Sequence, residues 1–320
     1  MNILITGCAG FIGFHVADKL TSIKKNKVYG IDNLSKAHDF KLKQDRLKIL
    51  RKKSNFFFKK IDIANDKVLN KLFTKYKFHC VIHLAAKAGV RDSIINPRDY
   101  LDSNIIGFFN ILDISNTNKV NHFIYASTSS VYGNTKKFPS KEDDNTDKPV
   151  SFYGASKKAN EVLAYSYSSI FKFPTTGLRF FTVYGPFGRP DMAPLKFTQL
   201  INKKKQIELY NNGKHVRDFT YIDDIVVSII KLIDKPSRKK VPYNIFNIGS
   251  QNPKNLMSLV KNIESSLEKK SKRKYLPFQV GDVYKTYANN AKIINYIKYK
   301  PSISLKEGIK RLVQWYKVYK

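Results

Sequence analysis

Short apolar runs alternate with longer amphipathic stretches through the first part of the chain. Residues 2–6, beginning Asn2-Ile3-Leu4-Ile5, form an apolar run, and a glycine-rich turn separates it from a helix-like stretch reaching about Leu20. The pattern repeats with Val28-Tyr29-Gly30-Ile31, an exposed helix over 39–51, a third strand over 55–60 and a short helix. A fourth strand covers 80–86, a long helix 97–115, a fifth strand 123–127, a helix opens near 151, and a sixth strand covers 174–181. Apolar runs of this length, bounded by Gly or Asp and separated by helical periodicity, predict buried parallel strands joined by crossover helices. After residue 182 the elements become shorter: a loop over 185–192, a helix over 194–202, and strands at 208–210 and 217–219 about an Asn212-Gly213 turn. That turn predicts a hairpin. A helix over 221–233, a strand over 245–248 and helices near 255–268 and 304–319 complete the pattern.

The fold class expected is α/β, a Rossmann-type doubly wound parallel sheet with a smaller mixed C-terminal lobe. Residues 1–181 form the expected nucleotide-binding domain, and 182–320 a substrate lobe interleaved with the main sheet.

The loop Gly7-Cys8-Ala9-Gly10-Phe11-Ile12-Gly13 lies between a strand and a helix, where glycines permit a tight turn and a close approach to a diphosphate at the helix N-terminus. Asp32 ends the next strand, roughly twenty residues on, where a carboxylate accepts from an adenosine ribose and repels a 2′-phosphate. That favours NAD over NADP; a strand-end turn residue is the alternative. Asp62 can meet an adenine amino group or cap a helix. The small residues closing Leu84-Ala85-Ala86 permit close packing on a cofactor, whereas His83 reads as a packed histidine.

Within Ser151-Phe152-Tyr153-Gly154-Ala155-Ser156-Lys157, helical spacing places Tyr153 and Lys157 on one face, where an ammonium favours a phenolate. The pair is a weak signal in a chain with 19 Tyr and many Lys. Ser127-Thr128-Ser129-Ser130 ends the fifth strand at the edge where doubly wound sheets bind ligands. Its hydroxyls are either turn chemistry or partners for a reacting hydroxyl.

Composition changes this picture little. The net charge of +33 suggests phosphate-backbone binding, but the lysines are scattered over every segment and no nucleic-acid motif accompanies them, so no nucleic-acid partner is expected. No apolar run approaches a membrane span, so no membrane insertion is expected either. Cys8 and Cys80 suggest neither a disulfide framework nor a metal site, and a cytoplasmic location is expected.

Taken together, the glycine loop, Asp32, Asp62, His83-Leu84-Ala85-Ala86, Thr128 and Tyr153-x-x-x-Lys157 resemble the extended short-chain dehydrogenase/reductase superfamily, specifically its NAD-dependent nucleotide-sugar epimerases. The resemblance runs nearly end to end. It implies catalytic roles for Thr128, Tyr153 and Lys157, with Tyr153 and Lys157 also meeting the cofactor. Further NAD contacts are implied for Gly7, Gly10, Phe11, Ile12, Gly13, Asp32, Asn33, Asp62, Ile63, Leu84, Ala85, Ala86 and Asn104. It implies UDP-sugar contacts for Ser129, Thr182, Arg189, Arg217 and Asp282, and a homodimer as in many relatives.

Related dehydratases carry an acidic pair where this chain has Ser129-Ser130, and related decarboxylases a glutamate at the position of Ser130, which leaves 4-epimerisation. The segment Thr182-Val183-Tyr184-Gly185-Pro186-Phe187-Gly188-Arg189-Pro190-Asp191-Met192 is similar to that of UDP-glucuronate 4-epimerases, as are Asp39 to Lys43 and Arg46-Leu47. Arg189 offers a planar fork to a sugar carboxylate, its alternative being a plain loop arginine. The resemblance thus implies conversion of UDP-glucuronate to UDP-galacturonate through a 4-keto sugar. Epimerisation of UDP-glucose, UDP-N-acetylglucosamine or its uronate is the alternative; a decarboxylase or a non-catalytic NAD-binding protein stands further off. One departure is Ala288-Asn289, where relatives show Ala-Asp.

Overall fold

A run such as Ile3-Leu4-Ile5, all three side chains buried, has no polar face and belongs between two layers of helices. The computed structural model describes residues 1–35, 39–279 and 281–319. In chain order, β1 (Asn2–Thr6) leads through the glycine turn to α1 (Phe11–Thr21), β2 (Lys27–Asp32), α2 (Phe40–Leu50), β3 (Phe56–Lys60), α3 (Asp66–Lys75) and β4 (Cys80–His83). Two short helices, α4 (Val90–Ile95) and α5 (Pro97–Tyr100), run through a π-helical turn (Leu101–Ile106) into α6 (Gly107–Thr117). Then come β5 (His122–Thr128), α7 (Phe152–Phe171) and β6 (Thr175–Phe180). The remaining elements are β7 (Thr182–Tyr184), α8 (Ala193–Asn202), β8 (Gln206–Leu209), β9 (Val216–Arg217), β10 (Phe219–Tyr221), α9 (Ile222–Leu232) and β11 (Tyr243–Ile248). Last are β12 (Lys254–Asn255), α10 (Leu256–Leu267), β13 (Lys272–Tyr275), α11 (Ala291–Ile297) and α12 (Leu305–Tyr319).

Seven strands form one parallel sheet in the order β11-β6-β5-β4-β1-β2-β3. Helices α1 and α9 pack on one face, and α3, α6 and α7 on the other. The order reverses between β1 and β4, so a crevice opens at the C-terminal ends of those strands. β11, drawn from the second half of the chain, completes the sheet beside β6. The smaller sheets pair β10 with β7, β12 with β9 and β13 with β8.

Local sequence explains several boundaries. Asp39 accepts from Leu42 N, Asn65 from Val68 N and Ser151 from Gly154 N, each side chain satisfying a free first-turn donor of its helix. The Ser151 cap fixes Tyr153 in the first turn of α7. The long helix expected over 97–115 is instead broken into α5, the π turn and α6. The hairpin expected about Asn212-Gly213 does not form. Asn211, Asn212 and Gly213 all take positive φ (51°, 50° and 74°), one more such residue than a two-residue hairpin loop uses. The flanking strands are thereby turned away, β8 to β13 and β9 to β12.

Behind the crevice lies a buried ion pair. Arg179 on β6 donates through Nε and Nη2 to the two Glu161 oxygens of α7 at 2.9 and 2.8 Å, and Ser127 Oγ donates to Glu161 Oε1 at 2.6 Å. Both side chains are 4% exposed. Glu161→Gln is expected to destabilise the fold by about 3 to 5 kcal/mol, because it leaves the Arg179 charge buried and uncompensated. Urea denaturation checks this; a loss below about 1 kcal/mol would show that the pair is not what secures this wall.

Candidate active site

A cavity of about 550 Å³ follows the C-terminal edge of the sheet from the glycine loop to α7. Gly7, Gly10, Phe11, Ile12 and Gly13 line one end. Gly7 has φ +71°, and a Cβ there would lie 2.7 Å from Ala85 N, so only glycine lets β1 and β4 close up at the crossover. A Cβ on Gly13 would lie 2.2 Å from Gly7 O. The N-terminus of α1 has no side-chain cap, leaving its amide groups for an anion.

Asp32 and Asn33 border the cavity after β2, Asp62 and Ile63 after β3, and Leu84, Ala85 and Ala86 after β4. The Asp32 oxygens accept from Ala9 N at 3.1 Å and Leu34 N at 2.8 Å; Asn33 Nδ2 donates to Asp62 Oδ2 at 3.0 Å. Burial pushes the Asp32 carboxyl up, opposed by Leu34 N–H and the Lys43 ammonium. Asp62 caps no helix, since Asn65 serves α3. These glycines, the uncapped helix end and the carboxylate at β2 fit a dinucleotide such as NAD.

At the other end, Thr128, Ser129, Tyr153, Lys157, Thr182 and Arg189 meet across the cavity. Burial raises the Tyr153 phenol, while a hydrogen bond from Thr128 and the positive charge of Arg189 pull it down. The Tyr100 ring stands edge-on to Tyr153 at 6.2 Å. Lys157 is 2% exposed, and burial lowers its ammonium to about 8. Its Nζ donates to Ala126 O at 3.0 Å at the end of β5. The sequence suggested Lys157 as the group that lowers Tyr153; here Thr128 and Arg189 do so, because the ammonium is turned toward the strand.

Asn104 is the one expected cofactor contact absent from the cavity wall. Its amide accepts from Lys87 N at 2.8 Å and donates to Lys87 O and Ser156 Oγ, both at 3.0 Å. It therefore secures the loop after β4 from behind. His83 is likewise internal, its Nδ1 2.9 Å from Thr6 Oγ1.

A second cavity of about 1060 Å³ adjoins the first, sharing Ser129, Ser130, Thr182 and Arg189 with it. Arg217 and Asp282 line it. Arg217 Nη1 donates to Val216 O at 3.0 Å and Tyr284 O at 3.1 Å, and burial lowers its guanidinium to about 10 against the pull of Asp282. Arg91, Tyr210 and His215, which the sequence did not single out, line the same space. Arg91 pairs with Asp282 at 3.3 Å and lies over the Tyr210 ring at 4.6 Å. The only sequence signal for Arg91 is its place just beyond a strand end on the ligand edge of the sheet.

The two cavities thus form one cleft. One end suits a dinucleotide, the other presents guanidinium groups to an anionic ligand, and Thr128, Tyr153 and Lys157 line the first cavity beside the shared wall of Ser129, Ser130, Thr182 and Arg189. That junction can move a proton to or from a bound hydroxyl.

The family described as the NAD dependent epimerase/dehydratase family matches residues 3–249. Protein CapI of Staphylococcus aureus is 45% identical across 100% of this chain and 99% of its own length. The UDP-glucuronate 4-epimerase of Thermodesulfobacterium geofontis is 43% identical across 98% of this chain and 95% of its own. Among solved structures, the UDP-glucuronic acid 4-epimerase of Bacillus cereus in complex with UDP-glucuronic acid and NAD superposes with a TM-score of 0.93. It is 32% identical and matched over 100% of both chains.

Proposed function

The chain belongs to the NAD dependent epimerase/dehydratase family, and from that premise we propose that it interconverts UDP-glucuronate and UDP-galacturonate by 4-epimerisation. The observation that carries this reading is that Arg189 shares a cavity with Tyr153 closely enough for its charge to act on the phenol. A cation suited to a sugar carboxylate therefore lies beside the group suited to a sugar hydroxyl.

In this mechanism Tyr153, as phenolate, takes the proton of the sugar 4-hydroxyl, and Thr128 holds that hydroxyl by a hydrogen bond. Lys157, whose Nζ donates to Ala126 O, is assigned to the nicotinamide ribose rather than to the phenolate. NAD, held by the glycine loop, Asp32, Asn33, Asp62, Ile63 and residues 84–86, supplies when bound a hydride acceptor at carbon 4 that later returns the same hydride. Between the two steps the 4-keto sugar turns over in the cleft while Arg217 and Asp282 anchor the UDP portion. Tyr153 then gives its proton back to the 4-oxygen of the sugar, which now presents its opposite face. A 4-keto uronate loses carbon dioxide readily, and Arg189 restrains the carboxylate from leaving. Ser129 and Ser130 place no acid beside it.

We assign residues 1–181 to cofactor binding and 182–320 to the UDP-sugar lobe. A cytoplasmic location accords with the two buried free thiols, Cys8 and Cys80, and a uronate epimerase suits surface-glycan synthesis. We also propose a homodimer, supported by exposed apolar side chains on adjacent helices: Ile106 (40%) and Phe109 (43%) before and on α6, Val162 (56%) and Tyr165 (51%) on α7. Val162→Arg is expected to give a monomer by light scattering. A monomeric wild-type protein would refute the assignment.

The test of function is incubation of the purified protein with UDP-glucuronate and NAD, with products resolved by anion exchange and proton NMR. UDP-galacturonate is the expected product; UDP-xylose would mean decarboxylation. No conversion of the uronate would exclude the reading.

A further inference from the structure

The arginine that this reading assigns to the sugar carboxylate is already engaged by a carboxylate of its own loop. Arg189 Nε donates to Asp191 Oδ1 at 3.1 Å and Nη2 to Asp191 Oδ2 at 2.6 Å, the side-on bidentate geometry that a uronate would use. Nη2 also donates to Ala88 O at 3.1 Å, which ties the guanidinium to the loop after β4. The two partners differ in setting. The Arg189 side chain is 21% exposed and that of Asp191 45%, so the arginine belongs to the cavity wall and the aspartate stands half in water.

The backbone before them is pinned. Pro186 O lies 2.8 Å from His15 Nε2 of α1, and Phe187 O accepts from Arg46 Nη2 of α2 at 2.6 Å. Arg46 is itself buried, and its Nη1 donates to Ala9 O at 2.8 Å in the glycine loop. The Phe187 ring packs between Phe14 and Trp315, with centroids 5.0 and 4.8 Å away. A change of partner at Arg189 is therefore a side-chain event rather than a movement of the whole loop.

Epimerisation imposes such a change. While the UDP portion stays anchored, the ring must present its other face, and the carboxylate on carbon 5 travels with it. A guanidinium in a partly dry wall is poorly stable without an anion. Holding the uronate too firmly would in turn resist the rotation.

We propose that Asp191 is a specificity-determining exchange partner for Arg189: it occupies the guanidinium fork when the sugar carboxylate is away and yields it when that carboxylate arrives. The exchange replaces one bidentate carboxylate by another, and the weak pairing of a 45%-exposed aspartate offsets only part of what the uronate gains. Asp191 thus weakens ground-state binding of the uronate and eases ring turnover. This inference rests on the uronate reading above.

Asp191→Asn keeps the size of the side chain and removes its charge. The expected result is a KM for UDP-glucuronate lowered by roughly threefold to tenfold, together with a lower kcat. Reduced cofactor should build up during turnover, seen as near-ultraviolet absorbance of NADH on the protein. Asp191→Ala should act in the same direction, which covers the case in which the asparagine oxygen still accepts from Arg189. Melting temperature and bound-cofactor content establish that each variant is folded. A KM that rises in both variants, without reduced cofactor, would mean that Asp191 merely orients Arg189, and unchanged constants would also overturn the proposal. Failure of the uronate reading itself is seen separately, as a wild-type protein that does not convert UDP-glucuronate.

Discussion

Tyr153→Phe is expected to lower kcat by about a thousandfold while leaving the fold, the bound cofactor and KM nearly unchanged. The substitution removes one oxygen from a half-buried ring on the cavity wall and nothing else. Ring packing against Tyr100, edge-on at 6.2 Å, is kept. Thr128 loses a hydrogen-bond partner but retains its hydroxyl for the sugar. What disappears is the phenol that, among the described residues of the cavity, takes the 4-hydroxyl proton and returns it. Lys157 cannot replace it, because its Nζ is directed at Ala126 O. The measurement is product formation by NMR under single-turnover conditions, with a melting curve and cofactor content on the same sample. Near-normal turnover in a folded, cofactor-bound variant would transfer the proton role away from Tyr153 and dismantle the mechanism.

Arg189→Ala is expected to reduce kcat/KM for UDP-glucuronate by about a hundredfold, the loss of a charge-assisted hydrogen-bond pair to an enclosed carboxylate. A neutral UDP-hexose, which has no carboxylate to lose, should show little change in KM. The same variant makes a second, independent prediction. The positive charge of Arg189 favours the phenolate of Tyr153, so removing it raises the phenol pKa. Since the reaction needs the phenolate, the acidic limb of the rate–pH profile should move to higher pH for every substrate. Equal losses with UDP-glucuronate and UDP-glucose would exclude a carboxylate-binding role for Arg189. An unmoved acidic limb would separate Arg189 from Tyr153.

The departures from the sequence reading have a common form. Asn104 was expected on one long helix but lies in the π-helical turn before α6, and its amide is consumed by Lys87 and Ser156. The Asn212-Gly213 turn does occur, but its extra positive-φ residue sends β8 and β9 to different partners. The pairing of Arg91 with Asp282 joins residues 191 positions apart, and nothing local to either announces it. The Arg189–Asp191 pair is only two residues apart in the chain, but no sequence pattern says that an arginine will turn back on its own loop.

By itself the sequence determined the elements whose cause is local: apolar runs too uniform for anything but a two-sided sheet, glycines where a Cβ has no room, capping residues at helix starts, and helical spacing that brings Tyr153 and Lys157 onto one face. These follow from sterics and periodicity within a few residues, and they were enough for the fold class, whereas the chemistry at carbon 4 came from the resemblance of the assembled motifs to nucleotide-sugar epimerases. Only the tertiary structure decided which charges meet in the cleft: Arg189 with Tyr153 and Asp191, Arg91 and Arg217 with Asp282, and the turn of Lys157 toward β5. Electrostatic and hydrogen-bond partners depend on distances of a few ångströms between distant segments, and those distances exist only once the chain is packed.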